Sequence, residues 1–466
     1  MIKDDFKKAE EQGEAAAAAD PWRLSYHLMP PAGWLNDPNG LSQYKGTHHI
    51  FYQYDPQDVN GRKGKGWGHY TTKDFVHYKQ LPTALYPDSW MDKDGAYSGS
   101  ALVEPEEIRF YYTGNIKFPG EHDYIHSGRG HYVNTFSTPD GFTFTEKENL
   151  LKNEDYPADM TNHVRDPKVW KEGERYYMVL GARDNNDHGL ALRYVSDNGR
   201  DWKYDGRIET EEPFGYMWEC PDLIEADGQE LLICCPQGID RQGYDYENVY
   251  QNGYFRLEGD KAKEFTELDH GFDFYAPQSY VDEAGRRILI GWMGIPDADY
   301  TNPTTERGWQ HALTIPRVLE VVDAHIYQRP LPELMELREE AQTIELEPDK
   351  KLEIDTNVFE LELNVAGDFR LQLRQDCELS YHGGLFTLKL GASGYGRDER
   401  HVKIADLKQL RIFSDTSSLE IFLNEGQEVL STRLYEEGDT CSLISDTAMS
   451  GTLWKLKSFI IEKAEH

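Results

Sequence analysis

Thr72-Lys73-Asp74-Phe75 returns as Ser137-Thr138-Pro139-Asp140-Gly141-Phe142, and again as Ser196-Asp197 followed by Asp201-Trp202. With Asp74, Asp140 and Asp201 taken as equivalent, the intervals are 66 and 61 residues. A four-stranded blade with its loops needs about 40–50 residues or more, so the period suits a propeller, although such phrases are also ordinary turn chemistry. The surrounding sequence agrees. Short runs rich in Tyr, Ile, Val and Phe lie at 48–56, 109–115, 175–184, 231–238 and 287–293, bounded by Gly, Pro, Asn and Asp. These read as strands, and no strongly amphipathic helix of a dozen residues interrupts them. About 314 residues at about 63 per blade give five blades.

Working outward, residues 331–342, with Pro332 near their start, read as a linker helix. Residues 343–466 carry alternating strands at short intervals, the pattern of a β-sandwich, and no cluster of chemical residues. Residues 1–21 read as a helical extension: acids at its start, alanines inside, Pro21 after its end. The expected architecture is all-β: a five-bladed β-propeller over 22–330, then the linker and the sandwich.

There are 49 Lys+Arg against 83 Asp+Glu, a net charge of −34. A chain this acidic should not hold nucleic acid or an anionic membrane surface over a large area. Its 12% aromatic content argues against disorder. The alanines at 15–19 follow a charged stretch and contain no Leu, Ile or Val, which is not a secretory signal. The five cysteines (Cys220, Cys234, Cys235, Cys377, Cys441) form an odd set without CxxC. The expectation is a cytoplasmic protein with reduced thiols. Oligomeric state stays open, because an edge of the sandwich could pair or be blunted by its charges.

Three acids keep unusual company. Asp37 lies in Trp34-Leu35-Asn36-Asp37-Pro38-Asn39-Gly40, Asp166 in Arg165-Asp166-Pro167, and Glu219 in Met217-Trp218-Glu219-Cys220-Pro221. Separations of 129 and 53 residues are one to two repeats, so each acid could come from a different blade and converge on the axis. Carboxylates among aromatics suit glycosyl transfer: one attacks the anomeric carbon, and a second protonates the leaving oxygen and then activates water. A turn role for Asp37 and a salt bridge for Asp166 are the bland alternatives.

These three phrases, in this order, resemble the signature motifs of glycoside hydrolase family 32, which comprises invertases, fructan hydrolases and sucrose-6-phosphate hydrolases. Phe51-Tyr52-Gln53-Tyr54, Trp67-Gly68-His69, Tyr97-Ser98-Gly99-Ser100, Phe274-Tyr275-Ala276-Pro277-Gln278 and Leu313-Thr314-Ile315-Pro316-Arg317 extend the resemblance over nearly the whole chain after residue 22. It implies a propeller with a sandwich and retaining hydrolysis of β-fructofuranosides. Asp37 would be the nucleophile and Glu219 the general acid and then base. Asp166 would stabilise the transition state, and Arg165 would orient these acids. Asn36, Gln53, Trp67, Tyr97, Ser98 and Tyr275 would line the fructosyl pocket, with Trp292 a further wall. Cys220 would tune Glu219, or be merely a small buried side chain. Burial and two acidic companions would keep Glu219 protonated. The extension Asn60-Gly61-Arg62-Lys63-Gly64-Lys65-Gly66 and Tyr97, where relatives often have Phe, depart from the family pattern.

With no secretory signal, the resemblance favours sucrose 6-phosphate as substrate. Unphosphorylated sucrose or short fructo-oligosaccharides are the alternative, followed by a silent sugar-binding propeller or a fructosyltransferase. A phosphate would need local cations or amides; Lys117, Arg129 and His131 in one loop, and Arg183 and His188 in another, are candidates. The chemistry requires no cofactor and no metal. His122-Asp123-Tyr124-Ile125-His126 and Asn185-Asn186-Asp187-His188 hold ligand-type residues at no recognised ligand spacing.

Overall fold

The strand Thr47–Asp55 is buried along almost its whole length, on both faces. That is the mark of a sheet covered on two sides, as in a propeller, where each blade packs between its neighbours. The computed structural model describes residues 2–226 and 228–464; Met1, Glu465 and His466 of the expected terminal ranges lie outside the described residues. Among the described residues, five antiparallel sheets follow one another as meanders. Their innermost strands are Gly33–Tyr44, Ala96–Val103, Met160–Glu172, Met217–Ala226 and Tyr275–Val281. Each innermost strand packs on the next, and the fifth packs back on the first, which closes a ring of five blades. Trp309–Gln310 and the chain's last strand, Ile460–Lys463, add in parallel to the two edges of blade one.

The outer turns of three blades are one structure. Thr72, Thr138 and Ser196 each accept the N–H of the residue three positions on (Phe75, Gly141, Gly199). The side chains of Asp74, Asp140 and Asn198 then accept the N–H of Val76, Phe142 and Arg200. The third copy therefore aligns on Asn198 and not on Asp201. Either side chain can close this turn, so the short carbonyl rather than the acid is the repeated feature.

A second repeat lies on the axis. The ladder of every innermost strand breaks where Asn36-Asp37, Tyr97-Ser98, Asp166-Pro167, Cys220-Pro221 and Ala276-Pro277 stand, with Pro38 the first residue paired after its break. Proline lacks the donor that a ladder needs, and a bulge accommodates it.

Downstream, two six-stranded sheets form the sandwich around a core of Leu, Ile and Phe side chains. The connector is a 3-10 turn over Pro332–Leu337, shorter than the helix expected for 331–342. Leu334 and Leu337, three apart, are its buried residues, as 3-10 geometry allows. Arg338 is then extended and grips Glu360 of the sandwich through Nε and Nη2 at 2.7 and 2.6 Å. The first residues form a helix, Ile2–Ala18, whose Phe6 packs on Tyr54 and Tyr86 of blade one.

Candidate active site

The five bulges deliver neighbouring residues to the axis. Pro38, Ser98, Asp166, Cys220 and Ala276 surround one narrow space there. Asp166, Cys220 and Ala276 have φ of 64°, 49° and 47°. Such left-handed backbone costs about 1–3 kcal/mol per residue and persists where the surroundings over-determine it. Three strained stations in adjacent blades therefore mark the axis as a built site.

Above them opens a cavity of about 200 Å³ lined by residues of all five blades. Asp37 is held at both oxygens: Asn36 Nδ2 donates to Oδ1 at 2.8 Å, and Ser98 Oγ donates to Oδ2. Asn36 is fixed in turn by Trp34 Nε1, 2.6 Å from its Oδ1. Cys220 lies between two acids, its Sγ 3.6 Å from Asp37 Oδ2 and 3.7 Å from Asp166 Oδ2, and its N–H donates to Asp166 at 2.9 Å. Thus Cys220 bridges Asp37 and Asp166.

Glu219 receives four donors. Arg165 Nε and Nη2 reach Oε1 at 3.1 and 2.5 Å; Gln237 Nε2 and Tyr275 OH reach Oε2 at 2.8 and 2.7 Å. The expectation of a protonated Glu219, argued from burial and acidic neighbours, omits this arginine. Before Glu219 can donate to a leaving oxygen, one of its own oxygens must be released from these donors.

The electrostatics are those of acids short of counterions. Burial pushes the Asp37 carboxyl above its ordinary range against the pull of the Ser98 and Asn36 bonds. Burial also raises Asp166; Arg165 opposes it, while Glu219 and Asp37 add to it. Arg165 is held charged, since Glu219 and Asp166 outweigh its burial.

Asn36, Gln53, Tyr97, Ser98, Arg165, Tyr275 and Trp292 all line this cavity with Asp37, Asp166 and Glu219. Trp67 does not. It is fully buried behind the wall, packed on Phe51, Phe110, Tyr112 and Phe136, and its Nε1 donates to the Tyr97 carbonyl at 3.1 Å. Its strand is buried on both faces, so the pattern could not say which way the ring points.

The phosphate candidates divide. Arg129 lines the cavity. Lys117 is exposed and directly opposite it in the ladder. His131 is fully buried, and burial, with Arg165 and Arg129 nearby, keeps its ring far below the ordinary histidine range. A neutral buried ring cannot serve as a cation for phosphate; its Nε2 is instead 3.3 Å from Arg129 Nη1, as an acceptor. Arg183 is paired to Asp187 at 2.7 Å, and His188 lies 3.5 Å from Asp184. Neither lines the cavity. Asp123 closes its own loop by accepting the N–H groups of Ile125, His126 and Ser127.

Sequence reading missed Trp34, Lys65, Gln237 and His163. Lys65 lines the cavity, its loop pinned by Lys63 and Gly64 N–H on Asp55 Oδ2 at 3.0 and 3.2 Å. His163 Nδ1 accepts from Arg165 Nη1 at 2.7 Å. Its nearness to Arg165, two residues on in an extended strand, was the available signal.

Residues 27–330 match the glycosyl hydrolases family 32 N-terminal domain, and residues 333–458 match the family's C-terminal domain. The chain is similar to the sucrose-6-phosphate hydrolase of Bacillus subtilis, with 39% identity over 96% of each chain. In structure it is similar to the sucrose-6-phosphate hydrolase of Lactobacillus gasseri (29% identity, 97% of each chain, TM-score 0.87). It is also similar to a variant of the GH32 beta-fructofuranosidase of Bombyx mori solved with sucrose (29% identity, 98% of each chain, TM-score 0.86).

Proposed function

Because the chain belongs to glycosyl hydrolases family 32, we propose that it hydrolyses the terminal β-D-fructofuranosyl bond of sucrose 6-phosphate, releasing glucose 6-phosphate and fructose. The observation that carries this is the convergence of Asp37, Asp166 and Glu219, from three blades, on one cavity walled by Trp34, Tyr275 and Trp292. Asp37, aligned by Asn36 and Ser98, attacks the anomeric carbon of the fructosyl unit and forms an ester with it. Glu219 gives its proton to the bridging oxygen as glucose 6-phosphate leaves. It then takes a proton from water, which cleaves the ester and returns the anomeric configuration. Asp166 stabilises the positive fructosyl centre and holds its hydroxyls. Arg165 positions Glu219, and Cys220 keeps Asp37 and Asp166 apart. The chemistry belongs to residues 22–330, with 343–466 in support.

The substrate rests on the relatives described as sucrose-6-phosphate hydrolases at 34–39% identity and on the relative solved with sucrose. A phosphorylated sugar and five free cysteines both fit the cytoplasm. Specificity constants for sucrose and sucrose 6-phosphate, measured side by side, test the reading. The phosphorylated sugar is expected to be preferred. A clear preference for plain sucrose or short fructo-oligosaccharides would replace the substrate and leave the chemistry standing.

A further inference from the structure

In a chain of net charge −34, cations without carboxylate partners need a reason. One such cation, Arg129, stands at the cavity wall, and a second, Lys117, stands beside it on the exposed rim. Lys117 and Arg129 face each other across the antiparallel ladder of blade two. The loop between them folds Tyr124 back so that Lys117 Nζ lies 5.7 Å, and the Arg129 guanidinium 6.0 Å, from one ring centre. Two cations are thus gathered at one aromatic side chain, and Arg129 reaches the cavity itself.

Among the described residues, no carboxylate stands within ion-pair distance of Arg129 or Lys117. The acids nearby are engaged with backbone. Asp94 takes the Lys117 N–H at 2.7 Å, and Asp123 is consumed by its own loop. The acceptor that holds the Arg129 guanidinium is His131, and the one that holds Arg165 Nη1 is His163. Both rings are neutral. Burial and the two arginines push His163 down to about 2, and His131 is likewise far below its ordinary range. Neutral imidazoles fix the guanidinium groups without cancelling their charge. The Arg129 Nε is buried with no acceptor at all. An arginine that is clamped, uncompensated and short of acceptors at a cavity wall is set for a tetrahedral oxyanion, for which its planar fork is suited.

We propose that Arg129 and Lys117, gathered around Tyr124, bind the phosphate group of the substrate's leaving half, with His131 positioning Arg129. The inference rests on the substrate reading above and deepens it. The position is consistent with that chemistry: Arg129 stands beside Arg165, which holds the acid that must protonate the leaving oxygen.

The test is the ratio of kcat/KM for sucrose 6-phosphate to that for sucrose, in wild type, Arg129→Met, Arg129→Lys and Lys117→Met. A ratio cancels any general loss of folded or active enzyme. Removing a charged hydrogen bond to phosphate should lower the ratio by about 10- to 100-fold in Arg129→Met, and by about threefold or more in the exposed Lys117→Met. Arg129→Lys should recover part of the loss. Inorganic phosphate should inhibit sucrose hydrolysis competitively in wild type and much less in Arg129→Met. If wild type prefers the phosphorylated sugar and Arg129→Met keeps its ratio within about twofold, the phosphate lies elsewhere and this inference fails alone. If wild type shows no preference, the substrate reading fails and takes the inference with it.

Discussion

At the seam between propeller and sandwich, fully buried acids meet fully buried cations. Arg317 reaches Asp269 at 3.1 Å and Glu420 at 2.5 Å; His27 lies 2.9 Å from Glu420 and 2.7 Å from Asp415; Arg397 reaches Asp273 at 2.7 and 2.8 Å. In the cavity, by contrast, Asp166 has only Arg165, which is committed to Glu219, and Asp37 has only the more distant charge of Lys65. The result is opposite in sign. Burial raises every one of these carboxyls. At the seam Arg397, His27 and Arg317 outweigh it, so that Asp273, Asp415 and Glu420 end below their usual range; only Asp269 stays above. In the cavity burial wins, and Asp37 and Asp166 end above. Balanced buried charge orients two domains; unbalanced buried charge is available to react.

The largest test of this contrast is on rate. Asp37→Ala and Glu219→Ala should each lose about 10³-fold or more in kcat. Both should remain folded; Asp37→Ala should melt at or above wild type, because burial already disfavours its charge, whereas Glu219→Ala should melt below it, because it leaves the buried Arg165 without its carboxylate. Near-normal turnover in either variant would sink the assignment of the reacting groups.

The mirror experiment is on stability. Arg317→Met leaves buried Asp269 without its cation and Glu420 with His27 alone, which should cost about 3–5 kcal/mol in denaturant unfolding. A loss of less than about 1 kcal/mol would show that the seam is not held by its charges.

The pH dependence separates the two regions further. Asp273, Asp415 and Glu420, with depressed folded pKa values, contribute stability that is present above their unfolded values and lost as pH falls through the folded ones. His27 behaves inversely. Burial lowers its pKa, but Asp415 and Glu420 outweigh burial, so its contribution is complete below the unfolded value of about 6.5 and fades as pH rises through the raised one. Asp166, raised, binds its proton more tightly folded than unfolded, so it costs stability as pH climbs from about 4. Asp166→Asn should therefore melt above wild type at pH 8, by an amount that shrinks toward pH 5. A gap that widens on acidification would refute this sign.

How much of this was legible beforehand follows from what each signal measures. The acids were legible because a proline stands in or directly after each bulge, at Pro38, Pro167 and Pro221, and proline announces a bulge in a strand. The blade-two station carries no such mark, because Tyr97-Ser98 breaks the ladder without proline, and these two residues were reached only through the resemblance. The outer turn was aligned on the wrong residue of its third copy, since Asn198 and Asp201 both look able to close it. Trp67 was placed in the cavity because a strand buried on both faces has no alternation to read. Lys65 was invisible as a cavity residue, since its position depends on Asp55, ten residues earlier in sequence. His131 looked like a cation only while its burial was unknown.

The smallest predicted effect is the one that sharpens the contrast most. Arg183 and His188 are cations by sequence, near the same end of the propeller as Arg129. The structure gives each a partner: Arg183 Nη2 to Asp187 at 2.7 Å with its guanidinium 4.7 Å from the Tyr216 ring centre, and His188 to Asp184 at 3.5 Å. Asp184 also takes the N–H groups of Asn186 and His188, both at 2.8 Å, so this loop closes on its own acids. A paired cation has little charge left for a ligand, and exposed pairs of this kind contribute about 0–1 kcal/mol. Arg183→Met and His188→Ala should therefore keep the ratio of specificity constants for phosphorylated and plain sucrose within about twofold of wild type. If either lowers that ratio as far as Arg129→Met does, pairing does not decide which cations bind the phosphate, and the division drawn between seam and cavity does not extend to the cavity's rim.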